Sequence, residues 1–271
     1  MEAGNRRRGR PKGFGGAKPA GTIQALDRAL DVLEVLADGD GLTLSELSGK
    51  LGQSVATMHR VLATLERRAF VEISADKQEW HVGAEAYRLG AAFLRRGNVV
   101  ERSRSAMWTL MQETGETSNL GVEKDGSVLF VSQVETHETI RAFFPPGSLS
   151  PLHASGIGKA LLSTFDPKRI ERLFRGREFE RFTTKTIGSL AALSENIEAT
   201  RARGYAIDDE ERTMGMRCVA APILNVHGEA VAGISVSGPT HRLSDDRVRE
   251  IGEHVRRGAA TVSRLLGATK A

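Results

Sequence analysis

Thr43-Leu44-Ser45-Glu46-Leu47-Ser48-Gly49-Lys50-Leu51-Gly52-Gln53-Ser54-Val55-Ala56-Thr57-Met58-His59-Arg60-Val61-Leu62 is the stretch on which the fold depends. Thr43 and Glu46 have the spacing of a capping box, in which a hydroxyl and a carboxylate three residues on satisfy each other's backbone N–H groups. The helix they start places Leu44, Leu47 and Leu51 inward, and Gly52 supplies a tight turn. Ser54 caps the next helix, whose Val55, Met58, Val61, Leu62 and Leu65 are expected to face the core. Gln53, Ser54, Ala56, Thr57, His59 and Arg60 then stand at its exposed N-terminal end. Gln and Arg make bidentate contacts to base edges, Thr reaches a base or a phosphate, and Ala approaches a thymine methyl. Two helices about a tight turn with such a tip predict a helix-turn-helix, which seats the tip in the major groove of DNA. A plain three-helix bundle with a polar face is the alternative.

Before this stretch, Ile23, Leu26, Leu30, Leu33 and Leu36 recur at helical spacing and predict a first helix over 23–37. After it, Phe70–Ile73 and Glu79–Val82 read as a hairpin with a polar tip, Ser74 to Gln78. A hairpin directly after a helix-turn-helix makes a wing, which places Lys77 or Gln78 beside the DNA backbone or the minor groove; a hairpin that merely closes the small core is the alternative.

The formal charge of +4 is unevenly distributed. Residues 1–20 hold Arg6, Arg7, Arg8, Arg10, Lys12 and Lys18 against Glu2, a net +5, which leaves −1 for the rest. Such a Gly/Pro-rich basic arm cannot bury a core and adds salt-dependent affinity for a polyanion. Within it, Arg8-Gly9-Arg10-Pro11-Lys12-Gly13 resembles the AT-hook, whose arginines enter a narrow A·T minor groove.

From Ala84 to about Gly115 the pattern is helical, with a break at Gly97-Asn98: a helix linking two domains, then one opening the second. Beyond it, strands are expected at 120–123, 127–135, 140–144, 205–207, 218–225 and 230–237, and helices at 156–163, after Asp166-Pro167, at 194–203 and at 245–266 under a Ser244 cap. Hairpins mixed with helices indicate an α+β domain on an antiparallel sheet. At 271 residues the chain is long enough for two domains. No apolar run approaches the roughly 18 residues of a membrane span, and the N-terminus lacks the apolar segment of a secretory signal. The lone Cys218 excludes an internal disulfide and fits a reducing cytoplasm.

Several clusters invite a chemical reading. Ser155-Gly156-Ile157-Gly158-Lys159-Ala160 fails as a P-loop, because His153 stands where glycine is needed and Ala160 replaces the magnesium-binding hydroxyl. What survives is a glycine-rich helix start, suited to an anion or simply to close packing. Cys218, with His153 or His227 as base, is a candidate nucleophile; a small buried filler or pocket-lining residue is the other reading. Asp208-Asp209-Glu210-Glu211 is either a solvated run or a turn with one carboxylate aimed inward. Ser235 and Ser237 share one sheet face. No histidine pair has metal-ligand spacing.

Together these residues resemble the IclR family of bacterial transcriptional regulators, over about residues 22–267. The similarity is carried by Leu152-His153-Ala154-Ser155-Gly156-Ile157-Gly158-Lys159-Ala160-Leu161-Leu162, by Gly204 to Glu211, by Gly215 to Pro222 and by Gly233 to Pro239, in that order. The resemblance implies a winged helix-turn-helix, a linker helix and a GAF-like effector-binding domain. The expected division is a basic arm over 1–21, the DNA-binding domain over 22–83, the linker helix over 84–98 and the effector domain over 99–271. It further implies a ligand pocket with Gly156 and Ile157 as backbone donors, Asp208 and Cys218 as close contacts, Met216 as an apolar wall, Ser235 and Ser237 as hydroxyl partners, and Ile140 and Ala142 as further wall. Family effectors are small organic acids, among them oxo-acids such as glyoxylate and pyruvate, and aromatic acids; this chain looks closest to members that bind a very small oxo-acid. The implied partners are double-stranded DNA with a pseudo-palindromic operator and a second copy of the chain, as dimer or tetramer, with no metal, cofactor or catalytic residue. An enzyme using Cys218 fused to a DNA-targeting domain, and a DNA coater driven by the basic arm, are the rival readings.

Overall fold

The structure, a computed structural model, describes residues 23–97 and 99–269; the basic arm with Arg8 and Arg10 lies outside them. The chain forms two compact units that meet between Ala92 and Phe93.

In the first unit, helices α1 (Gln24–Ala37), α2 (Leu44–Leu51) and α3 (Val55–Arg67) precede a hairpin of β1 (Val71–Ile73) and β2 (Trp80–Val82). Thr43 and Glu46 make the reciprocal capping box, and Gly52 closes α2 with φ 60°, a left-handed conformation that glycine adopts without a Cβ penalty. Leu42 exchanges two backbone hydrogen bonds with Trp80, so the wing gains a third, one-residue strand. The core is Val32, Leu36, Leu47, Met58, Leu62, Leu65, Val71 and Trp80. One inward expectation is corrected. Val55, at the first turn of α3, is 51 % exposed, because the helix enters from the turn with that position facing out. On α1 the periodic set is largely outside: Ile23, Leu26 and Leu30 are exposed, and Val32 and Leu36 are the buried positions.

Helix α4 (Ala84–Gly97) spans the division between the units. The second unit follows with α5 (Val99–Thr114), β3 (Thr117–Lys124), β4 (Ser127–Val134), β5 (Leu149–Pro151), α6 (Gly156–Leu162), α7 (Pro167–Phe174), α8 (Leu190–Arg203), β6 (Ala206–Asp209), β7 (Met216–Leu224), β8 (Ala230–Pro239) and α9 (Asp245–Leu265). A single 3₁₀ turn, Leu152–Ala154, leads into α6. The six strands form one antiparallel sheet in the order β5-β4-β3-β8-β7-β6. Leu120, Val219, Ile234 and Val236 on one face pack with Met107 and Leu110 of α5 and Val255 and Val262 of α9. On the other face Val128, Phe130, Ala206 and Ala220 pack with Ile157, Ala160 and Leu161 of α6 and with α7 and α8.

The stretch 140–144 is not a strand, contrary to expectation. The sheet edge beside β4 is taken by Leu149–Pro151, which pairs with Ser127–Leu129, and Phe130 exchanges backbone bonds with Gly147 and Ser148. That edge accommodates one partner, so 140–144 runs as a loop whose Phe144 stacks on Phe130 at 4.9 Å. Helix α8 starts four residues before the expected Ser194, because Ser189 caps it by accepting from Ala192 N. Ser244 precedes α9 but makes no side-chain cap bond. Among the described residues no helix is long and apolar enough to cross a membrane.

Candidate functional site

Two places concentrate polar groups on rigid elements. The first is the tip of α3. Ser54 Oγ accepts from Thr57 N at 3.2 Å and shares a hydrogen bond with Thr57 Oγ1 at 2.8 Å, so these two hydroxyls both build the helix start and remain at its surface. Ser48 Oγ donates to Gln53 O at 2.6 Å and Gln53 N donates to Ser48 O, which fixes the turn. Ala56, His59 and Arg60 are exposed, and Gln53 and Thr57 half-buried. Lys77 is exposed in the polar tip of the wing hairpin, beside Gln78, whose φ is 57°. The structure brings Gln53, Ser54, Ala56, Thr57, His59 and Arg60 onto one exposed end; Arg8 and Arg10 lie outside the described residues.

The second place is the α6 face of the sheet. Register aligns two neighbouring rungs across it. One runs Thr117, Ser237, Cys218, Asp208; the other runs Gln133, Asn119, Ser235, Ala220, Ala206. Side chains on adjacent strands in register point to the same face, so Asp208, Cys218, Ser235 and Ser237, expected from sequence, converge. Met216 precedes Cys218 by two positions on β7 and shares its face. Helix α6 lies over them. A Cβ on Gly156 would stand 2.7 Å from Cys218 Sγ, and one on Gly233 2.7 Å from Ile157 Cγ2, so glycine at both positions lets the helix start approach the strands. Ser155 Oγ accepts from Gly158 N, leaving the N–H groups of Gly156 and Ile157 without a bond to any described residue. Ala142 is buried, whereas Ile140 is 63 % exposed and forms no enclosed wall.

The polar network here goes beyond the sequence reading. Gln133 Nε2 donates to Asn119 Oδ1 at 3.0 Å, and Asn119 Nδ2 to Ser237 Oγ at 3.3 Å. The Ser235 hydroxyl is fully buried with no partner among the described residues. Lys159, also fully buried, donates to Glu211 Oε1 and to Ile207 O, each at 2.5 Å. Asp208 Oδ1 accepts from Glu211 N at 2.8 Å. The acidic turn is held from outside as well. Thr183 Oγ1 donates to Glu210 O, Thr186 Oγ1 to Glu211 O, and Lys185 pairs with Asp209 and Glu210. The run 208–211 is therefore divided: Asp208 and Glu211 are buried, while Asp209 and Glu210 stay accessible to Lys185. Lys159, Asn119, Gln133 and Thr186 were missed as site residues. The one signal available was a lysine inside the otherwise apolar Gly156–Leu162, a charge that needs a buried partner.

Burial pushes the Asp208 carboxyl up to about 7; Lys159 opposes this and Glu211 reinforces it. Burial raises Glu211 too. Burial, with Asp208 nearby, pushes the Cys218 thiol up to about 11, so it stays protonated at neutral pH and is a poor nucleophile. Neither suggested base is bonded to it. His153 spends Nε2 on Glu180 O amid Phe174, Phe179 and Phe182, and His227 sits in the β7–β8 turn, at the far end of β7 from Cys218, about 20 Å along the strand. The arrangement is suited to binding a small polar molecule. A protonated Asp208 donates to a ligand carboxylate, an ionised one accepts from a hydrated carbonyl, and Ser235 supplies a hydroxyl.

A raised carboxyl pKa binds a proton more tightly in the folded than in the unfolded state. Asp208 thus favours folding most below about pH 4, and this contribution declines as pH rises to about 7. Asp208→Asn keeps the acceptor for Glu211 N and removes the titration. Relative to this variant, wild type is expected to lose about 2–4 kcal/mol of stability between pH 4 and 7 in urea unfolding. A constant difference across that range would show that Asp208 is not desolvated.

Comparison with known proteins gives a consistent result. Residues 25–73 match the IclR helix-turn-helix domain and residues 91–264 the C-terminal domain of bacterial transcriptional regulator IclR. The chain is 53 % identical over 261 residues to the HTH-type transcriptional regulator BhcR of Paracoccus denitrificans, covering 95 % of this chain and 94 % of that one. It is 36 % identical over 264 residues to the transcriptional repressor IclR of Escherichia coli, covering 96 % of each. A solved IclR homolog from Microbacterium hydrocarbonoxydans, complexed with 4-hydroxybenzoate, superposes with a TM-score of 0.79 at 23 % identity, over 89 % of this chain and 98 % of that one, and shares the fold.

Proposed function

For a chain that belongs to the IclR family and is a DNA-binding regulator of transcription, we propose that α3 reads the operator and that a small organic acid on the α6 face modulates the binding. The base-reading set is Gln53, Ser54, Ala56, Thr57, His59 and Arg60, with Lys77 of the wing and Arg8 and Arg10 of the arm on the backbone or minor groove. The effector set is Gly156, Ile157, Asp208, Met216, Cys218, Ser235 and Ser237, and the effector a small oxo-acid such as glyoxylate. The observation that carries this reading is the buried, unpartnered Ser235 hydroxyl beside the partly accessible Cys218 and the desolvated Asp208. A buried polar group without a partner costs free energy that a ligand returns by bonding to it. The solved homolog of this fold is complexed with 4-hydroxybenzoate, which supports an organic acid as the ligand.

The working division is 22–83 for DNA binding, 84–98 for the linker and 99–271 for the effector, in a cytoplasmic protein that binds its effector without turning it over. The chain acts as a homodimer, or as paired dimers. Exposed Leu26 and Leu30 on α1 and Tyr87 and Leu89 on α4 supply apolar surface for a second copy. A two-fold dimer presents two α3 tips to the half-sites of a pseudo-palindrome. The change in operator affinity equals the ligand's differential affinity for the two arrangements of the protein.

The test is a thermal-shift series with glyoxylate, pyruvate and 4-hydroxybenzoate. At about a hundred times its Kd, an acid that binds only the folded form adds about 2.7 kcal/mol, a rise in Tm of roughly 5–10 °C. Cys218→Trp fills the site and Ser235→Val removes its hydroxyl; both are expected to lose the shift and keep DNA binding. Shifts that persist in both variants, or none in wild type with any of the three acids, refute the assignment.

A further inference from the structure

We propose that a cleft of about 310 Å³ between α1 and α3, lined by Arg28, Thr57, Arg60 and Thr64, is a phosphodiester site that clamps the DNA backbone beside the reading tip.

Residues 23–92 hold seven Lys and Arg against eleven Asp and Glu. Apart from the basic arm, the unit is therefore net negative, and how its folded part approaches DNA depends on where its few cations stand. Arg88 is spent on Glu85. Arg28 and Arg60 come from different helices and line the same cleft, yet neither pairs with a carboxylate or a carbonyl of any described residue. No acidic side chain is among the lining residues. Two guanidiniums sharing a cleft repel one another unless an anion lies between them, and the forked donors of Arg match phosphate geometry.

Ala25 and Ala29 of α1 are short, so the helices leave room between them, and Val61 floors the cleft. Thr64 Oγ1 donates to Arg60 O, its own helix's carbonyl, so the hydroxyl is held at the rim.

Thr57 and Arg60 belong both to the cleft and to the exposed end of α3, so a duplex on that end lays a strand across the cleft. The basic arm joins the chain just before Ile23, two residues ahead of Ala25, and tethers further positive charge there. The exposed Leu26 and Leu30 are centred about 125° around α1 from the centre of Ala25, Arg28 and Ala29, so a second copy seated on that stripe leaves the cleft open. Arg28 thereby acts as a positioning contact that carries no sequence information, whereas Arg60, on the border of cleft and tip, lends its charge to the cleft while its donors turn to a base edge.

The test measures binding of the full-length protein, by fluorescence anisotropy, to two duplexes about three helical turns long: one of mixed sequence, one selected by the wild-type protein from a random pool. Salt is varied between about 50 and 200 mM. Arg28→Ala is expected to weaken both complexes by a similar factor, roughly 5–20-fold, and to reduce the salt slope by about 1, whereas Arg28→Lys retains the slope. Unchanged affinity and slope overturn the proposal. So does a loss confined to the selected duplex, which would make Arg28 a base reader, and so does a changed sedimentation coefficient, which would place it in a subunit interface. Arg28→Gln, with its melting temperature checked against wild type, guards against a loss caused by misfolding.

Discussion

Lys159→Met lowers stability by about 3–5 kcal/mol, because it leaves the buried Glu211 carboxylate without its counter-charge. Lys159 Nζ is the only described cation bonded to Glu211, whose second oxygen already lacks a partner. The same ammonium opposes the desolvation of Asp208. For a unit of this size the expected fall in Tm is on the order of 10 °C. The double variant Lys159→Met with Glu211→Gln is expected to recover much of the loss, since a buried ion pair adds little net stability over a neutral replacement while half of one is costly. Losses of equal size in the single and double variants would show that packing of the Lys159 stem, rather than its charge, is what Glu211 needs.

Arg60→Ala removes sequence-specific binding while leaving the effector site unchanged. A bidentate guanidinium on a base edge contributes about 1–3 kcal/mol of discrimination, roughly 5- to 150-fold per half-site. Two half-sites in a dimer compound that loss. The expected result is that the selected duplex binds no better than a mixed-sequence one, with the acid-induced thermal shift intact. A preserved specificity ratio would remove Arg60 from the base-reading set. Arg28 provides the internal contrast, because its loss lowers both affinities and spares their ratio.

The helix-turn-helix was legible almost residue by residue. The Thr43–Glu46 capping box, the left-handed Gly52 and the Ser54 cap are contacts between residues a few positions apart, and each appears as expected. Val55 was misread because periodicity marks an apolar face without saying what covers it. The segment 140–144 has strand-like composition, but Leu149–Pro151 holds the edge it would have paired with. Such competition between two segments cannot be seen in either one alone.

The effector face was half legible. Ser235 and Ser237 lie two apart on one strand, and alternation alone puts them on one side. The side that faces α6, and the alignment of Asp208, Cys218 and Ser237 across three strands, depend on register between β6, β7 and β8. Lys159 shows the division most clearly. Its window displayed a lysine in an apolar helix start, and a failed phosphate motif was all that local spacing could extract from it. Its partners, Ile207 O and Glu211, stand 48 and 52 residues further along the chain. Caps, turns and amphipathic periods arise from neighbours in the chain, so a short window contains their whole cause. Desolvation and the pairing of buried charge arise from neighbours in space, so they came into being only when the sheet closed under α6.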